Sequence, residues 1–592
     1  MQIVIFGKYV KYEQMRPKPA PIIHFENVSC GYVPKDPILR NINLEIFPGE
    51  FVLLVGASGA GTSTFGLCLN GVIPFVEGWV EGSLTVAGIN AAESYVAELA
   101  THVGAVLQDI DSQITNLYVK DEVMFGPENL KLPEEEVVRR AQRALEFVGA
   151  AEFGDRFVYE LSGGQKQKVV IAAVLAMEPE ILFLDEPTAN LDPRTSSDVF
   201  NILAQLKHEG KTIIITEYKM DELVSLADRM VVLGEGGIVF DGEPRELISQ
   251  FGWELQDRWG LWIPQAAELE LLLRKRKDLH AEPFPLHASE AVKAYATYRF
   301  NGHVREERPD LGAQLQGEVL IQAENVSYRY NNQTLALKNV SMEVRAGEIL
   351  ALVGPNGSGK TTLSKQFVGL YKPSDGVVTV LGKPTSATTT HELARHIGYV
   401  FQYPEHQFVK DSVEEEVSFS LQVLGLDEAE IRERAQEVMA IFGLTGLEKR
   451  HPYSLSGGQK RRLSVATMVI IGPQILLMDE PTFGQDRRNT EKMMQAVLEA
   501  TRSGDEANRS AIVLVTHDMK LVANYATRAV ALHQGQKAFD GLPSALFADR
   551  ELLTKVNLED PPLFQITRSL AQNGLILPES VVSPYEFVDA VA

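Results

Sequence analysis

The chain has 592 residues, 45% apolar and 23% charged. That is ordinary for soluble globular protein, and the length allows roughly four compact units. With 79 acidic against 56 basic residues the formal charge is −23, which disfavours a partner held mainly through phosphate contacts, nucleic acid above all. Two cysteines, Cys30 and Cys68, exclude a disulfide scaffold and a four-cysteine iron–sulfur or zinc site.

In chain order, MQIVIFGKYVKYEQ does not read as a signal peptide, because its apolar run is short and charge follows at once. Residues 1–20 are taken as an N-terminal extension. FVLLVG (51–56) is a β-rich run that ends in a Gly-rich loop. EILFLDE (180–186) is continuously apolar rather than alternating, which predicts a buried parallel strand, and TIIITE (212–217) predicts another. GQKQKVVIAAVLAME (164–178), between them and the loop, predicts a helix with one apolar face. The same series returns as ILALVG (349–354), QILLMDE (474–480) and AIVLVTH (511–517). No run approaches the roughly 18 apolar residues that a membrane span needs, so none is predicted.

The recurrence is an internal repeat. FENVSCGY (25–32) matches AENVSYRY (323–330), VGASGAGTST (55–64) matches VGPNGSGKTT (353–362), and LSGGQKQK (161–168) matches LSGGQKRR (455–462), at offsets of 298, 298 and 294. Such a period means two whole domains in tandem rather than a solenoid. The expected fold class is α/β, two domains with parallel-sheet cores, a helical subdomain around each LSGGQ, and a small helical extension after each core. The boundaries read as 21–250 for the first domain, 251–299 for its extension, 300–317 for a linker, 318–546 for the second domain and 547–592 for the last extension.

Gly354-Pro355-Asn356-Gly357-Ser358-Gly359-Lys360-Thr361 fits the phosphate-loop pattern in full. Gly354, Asn356, Gly357 and Gly359 let backbone N–H groups face phosphate oxygens. Lys360 would reach the β- and γ-phosphates, the Thr361 hydroxyl would ligate Mg²⁺, and Thr362 follows at the helix start. Asp479 and Glu480 end a strand, where the Asp holds Mg²⁺ and the Glu polarises a water. Gln402 and Gln108 follow strands and are candidates for sensing Mg²⁺ and that water. His517 follows the last strand and is placed for the γ-phosphate. Tyr330 and Tyr32 precede the Gly-rich loops and are candidates for stacking on an adenine. Ser456-Gly457-Gly458-Gln459 and Ser162-Gly163-Gly164-Gln165 each open a helix with N–H groups, a hydroxyl and a positive dipole end, which makes an anion site.

These motifs, in this order and twice over, resemble the ABC ATPase family across essentially the whole chain. The resemblance implies ATP and Mg²⁺ as cofactors and two halves that pair head to tail within one chain. Each ATP would lie between the phosphate loop of one half and the LSGGQ signature of the other, binding closing the pair and hydrolysis opening it. Three features are most similar to the ATPase component of energy-coupling factor (ECF) importers of vitamins and metal ions. They are DIDSQITNLYVKDEVMFGPENLKL after Gln108, YPEHQFVKDSVEEEVSFSLQVLGL after Gln402, and the extension after each core. That likeness implies an integral membrane scaffold (T-type) subunit, a substrate-binding membrane (S-type) subunit, and a peripheral place on the cytoplasmic face of the plasma membrane. Asp111 and Glu405 are placed to meet arginines of the scaffold. The cargo is not legible, since a separate subunit would bind it.

The first half departs from the pattern. Its loop supplies Gly56, Ser58, Gly59, Gly61, Ser63 and Thr64, but Thr62 stands where Lys360 stands. Tyr218 falls where His517 falls, while Asp185, the candidate base Glu186 and Gln108 are retained, Ser63, Gln108 and Asp185 forming a candidate Mg²⁺ set. The expectation is one working site, built on the second phosphate loop, and one that binds weakly or holds nucleotide without turnover. Two alternatives are a tandem sugar-uptake ATPase and a soluble tandem ABC ATPase acting on the ribosome. The short linker and the acidic charge disfavour the latter.

Overall fold

The computed structural model describes residues 20–189, 191–218, 220–299, 317–330, 334–482, 484–501, 509–573 and 583–591. The expected N-terminal extension, except Ala20, and the expected linker, except Gly317, lie outside the described residues.

Each half is built on a six-stranded sheet. In the first half the order is Gly237–Gly242, Arg229–Gly234, Phe51–Gly56, Thr212–Thr216, Ile181–Asp185, Val103–Val106. All neighbours are parallel except the first pair. The second half repeats this with Gln536–Gly541, Arg528–His533, Ile349–Val353, Ala511–Val515, Ile475–Asp479 and Ile397–Val400. The runs ILFLD and ILLMD are buried at every residue, as their unbroken apolar character requires of strands covered on both faces. A four-stranded antiparallel sheet flanks each core, with Ile23–Gly31 and Val319–Tyr330 near its centre. Three helices form the signature-bearing subdomain of each half, Val119–Asn129, Glu134–Phe147 and Gly163–Leu175 in the first and Val413–Leu424, Glu428–Ile441 and Gly457–Val469 in the second.

This topology brings the motifs together. In open parallel sheets, ligands collect beyond the C-terminal strand ends. The phosphate loops follow Phe51–Gly56 and Ile349–Val353 and feed the helices Thr62–Leu69 and Lys360–Phe367. The acidic pairs end a strand one place away, across Thr212–Thr216 or Ala511–Val515.

The sequence suggests that each repeat ends in its own small extension. Helices follow each core, and the structure packs the two sets together. Gln265–Lys277 packs on Pro584–Ala590, and Ala288–Tyr295 on Pro562–Gln572. Leu269, Leu273 and Tyr295 from the first half and Leu563, Ile566, Leu570 and Phe587 from the second share one core, each 0% exposed. Each such side chain contributes about 1.5–3 kcal/mol over remaining exposed. A lone pair of short helices has too little apolar surface to bury, so two pairs merge. Glu270 sits inside this core and is satisfied by Arg274 (2.9 Å), the Ala281 amide (2.7 Å) and the Tyr295 hydroxyl (3.2 Å).

Candidate functional site

The second-half loop is curled around its own lysine. Lys360 Nζ, almost wholly buried, donates to the carbonyls of Gly354 (2.7 Å) and Pro355 (3.0 Å). Gly359 has φ +103°, and a Cβ there would lie 2.7 Å from Leu337 and 2.8 Å from the Ala336 carbonyl. Only glycine fits that position. The loop opens on a cavity of about 1160 Å³ lined by Tyr330, Asn356, Gly357, Thr361, Thr362 and Gln402 on the loop side. Asp479, Glu480 and His517 line it as well.

The two acids there are shifted in opposite directions. Asp479 accepts from the Tyr399 hydroxyl at 3.1 Å. Burial, then the neighbouring Glu480 charge, push its pKa up to about 6. Burial would raise Glu480 too, but His517 and then Lys360 overcome it and bring its pKa down to about 2. The carboxylate meets His517 Nδ1 at 2.8 Å and accepts from the Thr516 hydroxyl at 3.1 Å. A carboxylate only accepts, so His517 carries its proton on Nδ1. Glu480 is thus ionised and oriented, as a general base must be. The Tyr330 hydroxyl bonds Thr362 Oγ1 at 2.9 Å, with its ring edge-on to Tyr328 and Tyr371.

The first half differs at the two places the sequence marks. Asp185 pairs with Thr216, and Asp479 with Val515, across equivalent strands. Tyr218 and His517 each stand two residues further on, so they hold the same place. The Tyr218 phenol is pushed up by burial and by Glu186 and stays neutral. Thr62 leaves no cation in the loop. Glu186 accepts from Gln108 Nε2 at 2.9 Å. Burial, Glu217 and Asp185 raise its carboxyl well above the usual range. Asp185 bonds Ser63 and accepts from the Thr216 hydroxyl at 2.6 Å. Tyr32 bonds Thr64, as Tyr330 bonds Thr362.

Both signatures are capping boxes. Ser162 and Ser456 cap their helices, and Gln165 and Gln459 return to the Ser amides at 2.9 and 3.0 Å. Gly164 packs against Thr195 and Gly458 against Asn489. The two signatures face different surroundings. A Cβ on Gly457 would come 3.9 Å from Ser58 Oγ in the first loop, and a Cβ on Gly484 3.7 Å from Gln108. Among the described residues, nothing lies within 4 Å of a Cβ on Gly163. The 1160 Å³ cavity extends from the Lys360 loop to Ala189, Pro193 and Ser196 of the first half. The halves are thus apposed at the Thr62 loop and apart at the Lys360 loop.

Sequence reasoning passed over two cross-half contacts. The Ser58 amide donates to Asp486 at 2.9 Å. Asp486 and its counterpart Asp192 lie 294 residues apart, each six residues beyond the Glu of the acidic pair, and that recurrence was the available signal. Lys520 Nζ bonds the Asp221 carboxylate, which also accepts from the Gln265 amide at 2.9 Å. No local pattern signals that pair. Asp111 and Glu405 each pair within the chain, with Lys166 at 2.5 Å and Lys460 at 2.9 Å. Each acid lies beside a lysine of its own signature helix and keeps part of its carboxylate exposed, 68% for the Asp111 side chain and 38% for that of Glu405.

A sequence profile described as ABC transporter matches residues 39–189 and again 337–483. A protein of Caldanaerobacter subterraneus subsp. tengcongensis named as an ABC transporter ATP-binding protein is 36% identical over 92% of this chain and 95% of its own length. A Bacillus subtilis protein named as an HMP/thiamine import ATP-binding protein is 35% identical over 92% of this chain and 96% of its own. A solved structure from Clostridium perfringens, titled as part of an ABC transporter complex, is 32% identical and covers 42% of this chain and 99% of its own, with a TM-score of 0.37.

Proposed function

The chain belongs to the ABC transporter family as a tandem ATPase, and on that premise we propose that it is the motor of an ECF-type importer with one working ATP site. The ionised Glu480, held by His517 beside the buried Lys360, carries the reading of one site. Its counterpart Glu186 has neither partner.

The phosphate loop fits a polyphosphate. Ser358 Oγ is buried and has no protein partner among the described residues, while the Gly359 cradle admits no Cβ. Thr361, Asp479 and Gln402 offer hydroxyl, carboxylate and amide oxygens to the one cavity, a donor set for a hard cation such as Mg²⁺. Mg²⁺ would neutralise charge that develops on the β- and γ-phosphates. Lys360 exchanges its two carbonyls for phosphate oxygens. Glu480 takes the proton of the attacking water, and His517 fixes the carboxylate while it does so. Residues 162–165 of the first half close on this site, and the cavity between the halves is the space that closure would remove. The site on the first loop, faced by residues 456–459, holds nucleotide weakly or without turnover.

No described helix is long and apolar enough to cross a membrane; on the proposed reading the pore is supplied by the membrane subunits. Leu117 and Tyr159 in the first half, and Val409 and Tyr453 in the second, are exposed apolar side chains near the segments that follow Gln108 and Gln402. Docking on a membrane scaffold would use these side chains beside the part-exposed carboxylates of Asp111 and Glu405. The name of the Bacillus subtilis relative favours uptake of a vitamin or its precursor over sugars. The test is affinity purification from membranes. Two small integral membrane proteins that copurify, and raise ATP turnover, support the reading; copurifying ribosomes, or turnover indifferent to membrane partners, overturn it.

A further inference from the structure

The signature helix of the second half carries Arg461 in its second turn, with 1% of the residue exposed. A guanidinium has five N–H donors in a fixed plane. Here five backbone carbonyls meet them. Nε donates to Pro481 at 3.2 Å, one terminal nitrogen to Phe401 and to Gln402 at 3.0 Å, and the other to Asp479 at 2.8 Å and to Glu480. Phe401 and Gln402 follow the strand Ile397–Val400. Asp479, Glu480 and Pro481 form the turn that presents the base. That turn is strained, since Glu480 has φ +46°, a left-handed conformation that a non-glycine residue keeps only when its surroundings impose it.

The other half supplies the comparison. Glu186 has φ +45°, the same strain. In its signature helix, LSGGQKQ in place of LSGGQKR, Gln167 holds the position of Arg461. Gln167 is buried, and its Nε2 has no hydrogen-bond partner among the described residues. The half that carries Lys360 and His517 therefore also carries a five-point clamp.

We propose that Arg461 is a positioning residue: it fixes Gln402 and the Glu480 turn to the signature helix as one rigid body. The start of that helix, at Gly457 one turn before Arg461, faces Ser58 of the first half. A movement at the first composite site is thereby delivered to the base of the second. The clamp does not touch nucleotide, so it governs the chemical step rather than affinity. This inference rests on the ATPase reading above.

The experiment uses the full chain with Arg461→Gln, which copies the first half, and Arg461→Lys, which keeps the charge but loses the planar fork. ATP turnover is measured with KM, together with equilibrium binding of a fluorescent ATP analogue and the thermal midpoint. In both variants kcat falls about tenfold or more while KM and analogue affinity stay within about twofold. Turnover within twofold of wild type in both overturns the proposal. So does a raised KM at unchanged kcat, or failure of both variants to fold, since each makes Arg461 a packing residue only. Wild-type turnover is measured alongside, so that a failed ATPase reading appears as an inactive wild type and a failed clamp as active variants.

Discussion

At the residue scale, the two halves differ in what surrounds an otherwise equal carboxylate. Glu480 and Glu186 share strand end, left-handed φ and burial, yet one is driven down by His517 and the other up by burial and acidic neighbours. Between the unfolded carboxyl pKa and the raised folded one, the folded state holds the extra proton on Glu186, so stability falls as pH rises through that window. Glu186→Gln removes the group. Its thermal midpoint should equal that of wild type near pH 4.5 and exceed it at pH 8; equal midpoints at both pH values would show that Glu186 ionises normally. Glu480→Gln should lower turnover about 100-fold or more, while Glu186→Gln leaves it within about twofold. Restoring the first loop's cation with Thr62→Lys should add little turnover while Tyr218 remains, as single-turnover assays can show.

At the scale of elements, the strands and signature helices were legible because their signals are local. Unbroken apolar runs marked the central strands, and Ser-Gly-Gly-Gln marked two helix starts that the structure shows as capping boxes. The departures Thr62 and Tyr218 were legible only because the chain carries its own reference copy. Arg461 against Gln167 stood in the same alignment, one residue beyond the lysine of LSGGQK. It went unused because no pattern says which carbonyls an arginine will find. The merging of the extensions was not legible either, since each helix pair reads as an ordinary amphipathic unit, and the pairing spans about half the chain. That shared core has its own test. Ile566→Ala should cost about 2–5 kcal/mol in denaturant unfolding. If it costs under about 1 kcal/mol, the extensions do not rely on one another.

At the scale of the whole molecule, the two repeats meet at equivalent positions with unequal residues. Asp221 stands five residues after Thr216 and Lys520 five after Val515, and the two bond across the interface. Two first halves paired in this way would oppose Asp to Asp, and two second halves Lys to Lys. The arrangement thus favours pairing a first half with a second half over pairing two like halves. Exchanging the charges tests it. Asp221→Lys and Lys520→Asp alone should each destabilise, and together recover about 1–2 kcal/mol of coupling, limited because about a quarter of each side chain meets solvent. Additive losses would mean that the pair adds nothing to the choice of partner. The molecule is apposed at the loop that lacks a lysine and apart at the loop that has one. On the proposed function, closure at the second site is the motion passed to a membrane partner.

Which loop drives turnover decides between one working site and two. Steady-state ATP hydrolysis of the assembled complex should fall about 100-fold in Lys360→Ala and remain within about twofold in Thr62→Ala. Most turnover surviving Lys360→Ala, or equal losses in the two variants, would contradict a single working site.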